Sequence, residues 1–151
     1  MLVGFGGAED SQVVADPVGG TNKVARVRRA ATAETFAGTV VGTNGQTVGP
    51  IPFDAANTRI SVRVYSPAAG IPVRLKAEDA ANSARSVETE ALTTKANAWE
   101  TLTFDFANPA RGTSALNPSF NYDRLIIFFN FGKTGSAAGA QTYHFDDVTF
   151  I

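Results

Sequence analysis

Between Arg59 and Phe106 apolar side chains recur at every second position. Four segments carry the pattern, 59–65, 71–78, 86–91 and 100–106, each with apolar residues on one side of a pleat and charged or hydroxylated residues on the other. This is the alternation of strands with one buried and one wet face. The middle two segments are predicted to pair. Folded about the polar link from Asp79 to Arg85, they set Arg74 opposite Glu90 and Lys76 opposite Glu88, while Val73, Leu75 and Ala77 meet Ala91, Thr89 and Val87. The Ala-rich piece 77–91 lacks apolar recurrence at three and four, which argues against a helix there.

The remaining chain supplies further short strands. Residues 4–10 hold three glycines in four positions and read as a loop; 11–15 is a strand stopped by Asp16-Pro17. In 23–29 Val24 and Val27 differ in parity, which predicts a bulge or mixed facing, and Arg26, Arg28 and Arg29 read as a solvated edge. Residues 36–41 form another strand, marked by Gly38, and Asn44-Gly45 is a turn dipeptide. Pro50 and Pro52 keep 49–54 out of a central strand. The segment 108–121 is a long polar connection bounded by prolines, the kind of loop that often walls a site. Residues 123–131 are apolar on both faces, as expected of a central strand covered on each side or of one whose second face carries a ligand platform. Residues 142–150 close the chain, their alternation broken at Asp146 and Asp147. Eight to ten short strands without a long helix imply an all-β, antiparallel β-sandwich.

The length of 151 residues suits one domain with a real core, so residues 1–151 read as a single domain. A formal charge of −1 with dispersed Lys and Arg argues against nucleic acid. The longest apolar run, 125–129, is far short of the roughly 20 residues that span a membrane. Without cysteine there are no disulfides, thiolate chemistry or Cys-ligated zinc. The opening residues lack the charged and apolar regions of a secretory signal, and the Gly-rich start favours a module excised from a longer chain over a cytoplasmic protein.

Catalytic machinery is thin. His144 is the single histidine and no Gly-x-Ser-x-Gly elbow occurs. Glu88 and Glu90 share a face, but cationic partners across the strand pair would lower their pKa values rather than poise one as an acid. Asp146 and Asp147 break the sheet pattern. One reading is a calcium site, with further oxygens from Glu9, Asp10 or Asn22; the other is a pair that caps the strand through backbone or Arg hydrogen bonds. Sugar binding needs flat aromatics with planar polar partners. Phe36, Tyr65, Phe128 and Tyr143 supply the first, and Arg63, Arg74, Asn130 and His144 the second; Trp99 reads as packing on a sheet edge.

Together, Gly-Gly-Thr-Asn-Lys-Val-Ala-Arg-Val (19–27), Phe-Ala-Gly-Thr (36–39), the blocks 60–67, 71–79 and 97–106, Tyr-Asp-Arg-Leu-Ile-Ile-Phe-Phe-Asn-Phe-Gly (122–132) and 143–150 resemble, in order, the strand blocks of jelly-roll carbohydrate-binding modules with the galactose-binding-like fold. Modules of this kind are appended to secreted bacterial polysaccharide-degrading enzymes. The resemblance implies a non-catalytic, monomeric, extracellular module that tethers a covalently linked catalytic domain to a polysaccharide. It also implies a structural calcium at Asp146 and Asp147. The sequence departs from the pattern in lacking an opening Phe-Glu or Phe-Asp and in placing Phe36 where a tryptophan often stands. The expected contact surface is a concave sheet face around Arg63, Tyr65, Arg74, Phe128 and Asn130, with Phe36. Free guanidinium groups would suit a uronate polymer such as alginate, whereas a closed ladder would suit a neutral β-glucan such as laminarin. The contrasting expectations are a structural or adhesive spacer that binds no sugar and a small lyase or hydrolase.

Overall fold

The computed structural model describes residues 1–43 and 45–151, so Asn44 of the predicted turn lies outside the described residues. Among the described residues ten strands and one short helix follow in order: β1 (Leu2–Phe5), β2 (Asp10–Ala15), β3 (Lys23–Arg29), β4 (Gly38–Val41), β5 (Arg59–Ser66), β6 (Pro72–Asp79), β7 (Asn82–Leu92), β8 (Ala98–Asp105), β9 (Arg124–Phe129), α1 (Gly135–Ala138) and β10 (Gln141–Phe150). They form two five-stranded antiparallel sheets, β1-β4-β9-β6-β7 and β2-β3-β10-β5-β8, packed face to face as a β-sandwich. The expected fold class is therefore observed.

The β6–β7 pair has the predicted register: Arg74 faces Glu90, Lys76 faces Glu88, and Val73, Leu75 and Ala77 face Ala91, Thr89 and Val87. The turn is tighter than expected because a register shift at Glu78/Asp79 brings Asp79 opposite Asn82. The charges also pair differently. Arg74 reaches both Glu88 (3.0 Å) and Glu90 (2.7 Å), and Lys76 turns along its own strand to Glu78 (3.5 Å). The planar five-donor guanidinium can serve two carboxylates at once.

Strand β9 is the central strand its composition predicts. Leu125, Ile127 and Phe129 enter the main core between the sheets, and Ile126 and Phe128 face outward into a second apolar cluster with Val40. Phe129 stacks on Tyr143 of β10 with ring centroids 4.7 Å apart and planes 7° apart, tying the sheets together. Tyr143 is fully buried, which removes it from the aromatics offered for sugar binding. At the other end Phe53 touches Phe106, Tyr122 and Phe150.

Two expectations fail locally. The glycine-rich start contains β1, whose residues pair with β4 from Leu2↔Val41 to Phe5↔Gly38; strand partners override the weak preference of glycine. Arg29, expected on a solvated edge, is 2% exposed because it shares the inward parity of Ala25 and Val27. Strand β3 pairs without a register shift, so Val24 and Val27 are a case of mixed facing.

Replacing Phe129 with Ala is expected to cost about 3–5 kcal/mol, through lost burial and a cavity between the sheets. Phe36→Ala, at a half-exposed ring, should stay within about 0.5 kcal/mol; urea midpoints compare the two.

Candidate functional site

The outward face of the first sheet is built by register. Phe5 lies opposite Gly38, Val40 opposite Ile126, Phe128 opposite Arg74, and Arg74 opposite Glu90. One row thus crosses all five strands: Phe5, Gly38, Phe128, Arg74, Glu90. Gly38 is required by close approach, since a Cβ there would sit 2.5 Å from the Phe128 ring and 3.0 Å from that of Phe5. The rings use that space. Phe5 and Phe128 meet edge to face at 6.0 Å, and Phe131 meets Phe128 in the same way at 5.4 Å. The Arg74 guanidinium lies 3.8 Å from the Phe131 ring centre while holding Glu88 and Glu90. Phe36, 50% exposed, lies against Gly6 at the end of β1. The face is apolar over β1, β4 and most of β9; over β6 and β7 Arg74 and Lys76 pair with Glu78, Glu88 and Glu90, and Arg124 at the start of β9 adds a second partner for Glu78.

Arg63 and Tyr65 are elsewhere. They lie on the outward face of the second sheet, where Gln12, Arg26, His144, Tyr65 and Trp99 form a row across β2, β3, β10, β5 and β8. The expected surface joining Arg63 and Tyr65 to Arg74 and Phe128 is thereby corrected: β5 and β6 are consecutive in sequence but belong to different sheets. Asn130 lines neither surface. It is 5% exposed with φ +57°, ends β9, and its backbone N–H donates to the Pro72 carbonyl at 2.8 Å.

The second-sheet row is held together mainly by its own contacts. Tyr65 meets Trp99 and His144 edge to face at 5.6 and 5.8 Å. Arg63 covers the Trp99 ring at 4.7 Å, and the indole N–H donates to Asp16 at 3.0 Å. The N–H of Val18, followed by that of Trp99, holds the Asp16 carboxyl below its ordinary value. Trp99 is thus a packing residue. Burial, reinforced by Arg26 and opposed by Asp16, pushes the His144 imidazole down. Its buried Nδ1 has no protein partner, and the row offers it no nucleophile.

Asp146 accepts from the Asn22 amide at 2.9 Å, and Asp147, at φ +50°, pairs with Arg63 at 3.2 Å. Asp147 thus has the arginine partner of the second sequence reading, whereas Asp146 takes the side-chain amide of Asn22, and the two sit at a bulge within β10 and not at its end. Glu9 and Asp10 lie at the opposite end of the sheet. Asp10 faces Arg28, whereas Asp146 follows Phe145, which faces Ala25, an offset of about four residues or roughly 13 Å along the strand. Asp10 is itself paired with Arg26 and Arg28. Among the described residues no group of three or more His, Asp or Glu converges to hold a metal. The donor set does not fit calcium.

Sequence reasoning missed Phe5 and Phe131. Phe5 was masked by glycines, and Phe131 lies beyond the end of β9; a glycine opposite an aromatic, Gly38 beside Phe128, was the available signal.

No family model and no curated sequence matches the chain. Solved structures do. A family 11 carbohydrate-binding module from Clostridium thermocellum, in complex with a beta-1,3-1,4-mixed-linked tetrasaccharide, is similar over 100% of this chain and 87% of its own, with a TM-score of 0.62 and 18% identity. A family 30 carbohydrate-binding module is similar over 97% and 79%, at TM-score 0.60 and 9% identity. The CBM22-1–GH10 modules of a Clostridium thermocellum endo-1,4-beta-D-xylanase, complexed with xylohexaose, are similar over 97% of this chain and 25% of their own, at TM-score 0.53 and 13% identity. At these identities the likeness establishes the fold.

Two outcomes are expected. Because the folded imidazole binds its proton less readily than the unfolded one, stability should be full above the ordinary value of 6.5 and decline as the pH falls below it. His144→Gln should flatten that slope below about pH 6.5, as read by denaturant titration. A calcium chelator should leave the melting temperature unchanged; a fall reversed by added calcium would reinstate the metal.

Proposed function

We propose that this chain is a non-catalytic module that binds a neutral β-glucan on the outward face of the first sheet. There it would tether a covalently linked catalytic domain of a secreted or surface protein. One observation carries the reading: an open face where Phe36, Phe5 and Phe131 adjoin an Arg74–Glu88–Glu90 cluster whose charges are already paired. Aromatic faces stack on the apolar faces of pyranose rings, while guanidinium and carboxylate edges donate to and accept from hydroxyl groups. A ladder closed on itself favours a neutral sugar. A uronate polymer would have to displace Glu88 or Glu90 from Arg74, or Asp147 from Arg63. The mixed-linked glucan in the family 11 structure belongs to that neutral class.

Of the residues singled out from sequence, Phe36 and Arg74 border this surface, while Phe128, 5% exposed, lies beneath Phe5 and Phe131 and supports it from below; Arg63 and Tyr65 belong to the packed row opposite. A single site should bind weakly, on the order of micromolar to millimolar, and act through tethering.

Affinity gels carrying laminarin, mixed-linkage β-glucan, alginate, xylan or cellulose test the proposal. Retardation is expected with a β-glucan, insensitive to added salt, and weakened about five- to tenfold by Phe36→Ala or Phe131→Ala. Salt-sensitive retardation by alginate alone would replace the neutral ligand with a uronate. Retardation by none of them would favour a spacer, and new reducing ends from purified protein would sink the non-catalytic reading.

A further inference from the structure

Arg29 and Tyr143 form a cluster that glycan binding does not use. Both point inward from the second sheet: Arg29 lies opposite Gln141 and Tyr143 opposite Val27, which makes the two side chains diagonal neighbours on adjacent strands. That spacing lies within reach of a long side chain and a ring. Arg29 is 2% exposed and Tyr143 0%. The Arg29 Nη2 donates to the backbone carbonyls of Glu34 and Lys133, joining the 30–37 loop to the turn after β9. Its Nε and Nη1, and the Tyr143 hydroxyl, are buried without a protein partner. No carboxylate among the described residues pairs with this guanidinium.

Buried N–H and O–H groups that lack acceptors are costly, and buried polar groups in folded proteins are almost always satisfied. Burial also pushes the Tyr143 phenol up, against the opposing effect of Arg29, so at neutral pH the hydroxyl keeps its proton and donates. The missing partner is therefore an acceptor and not another donor. Two recesses flank this end of the sandwich, one on the Arg29 side and one on the Tyr143 side, with Gln141 common to both. One, of about 540 Å³, is lined by Arg29 with Arg28, Gln141, Thr142, Glu9 and Asp10. The other, of about 290 Å³, is lined by Tyr143 with Gln141, Asn130 and Lys133. The two acids do not meet the need: Asp10 is held by Arg26 and Arg28, and Glu9 accepts from the Gly7 N–H.

We propose that Arg29 and Tyr143 bind one small monovalent anion, a halide or a compact carboxylate, at this end of the sandwich. The anion accepts from the free guanidinium N–H groups and from the phenol, and balances the buried charge. It thereby fixes the 30–37 loop and the turn after β9. This site is separate from the glycan face and does not depend on the glycan reading.

The test uses the full chain in a chloride-free buffer, with ionic strength held constant by a bulky sulfonate salt. Sodium chloride, bromide and formate are titrated while the melting temperature is followed, and crystals grown in bromide are examined for anomalous scattering. A saturable rise in melting temperature is expected, with a bromide peak within hydrogen-bond distance of Arg29 and Tyr143. Tyr143→Phe keeps the ring on Phe129 and should raise the apparent dissociation constant about tenfold or more. Arg29→Met should abolish the saturable component where it folds. A response that never saturates, one unchanged in Tyr143→Phe, or density showing only ordered water beside Arg29 would overturn the site. Glycan retardation by Tyr143→Phe should match that of the parent, so failure here and failure of the glycan reading are told apart.

Discussion

The two-sided character of β9 organises the molecule. A strand in the middle of a sheet must bury one face against the opposite sheet, and Leu125, Ile127 and Phe129 do so. Each large side chain fully buried in this way contributes about 1.5–3 kcal/mol. The other face of a sandwich sheet ordinarily carries polar groups, yet β9 presents Ile126 and Phe128 there. Their neighbours are fitted to them: Gly38 makes room for two rings, Phe5 and Phe131 close around Phe128, and Arg74 lies over Phe131. The outward cluster is thus a second, shallow core, left open over part of its aromatic surface.

Charge on this face follows from the same arrangement. Arg74 is pinned between an aromatic ring and two carboxylates, with its side chain 13% exposed. Partial desolvation strengthens these contacts compared with free surface pairs, and two carboxylates on one guanidinium resist loss of either. The result is a polar edge without net attraction for anions beside an apolar platform.

The opposite face shows how similar residues serve a different end. Trp99, Tyr65, His144 and Arg63 have the composition of a sugar platform, yet one face of the indole is covered by Arg63 and its N–H is spent on Asp16. Asp147 holds Arg63 in turn. This chain of contacts ties the 16–22 turn and the bulge after Asp146 to the sheet, and it accounts for the acidic break in the closing strand without a metal.

Pleat parity made much of the fold legible in the sequence. The register of β6 on β7, the central place of β9 and the absence of long helix all follow from period-two alternation and cross-strand charge matching, which are local properties. Parity within a strand does not say which sheet the strand joins. For that reason parity alone groups Arg63 and Tyr65 with Arg74 and Phe128, although β5 and β6 lie in different sheets. Glycine hid β1 for a related reason: its strand identity resides in its partner β4, not in its own preferences. The alternation of side chains fixed which residues face together on each strand. Only packing of the two sheets decided which strands share a surface, because sheet membership depends on contacts between segments far apart in the chain.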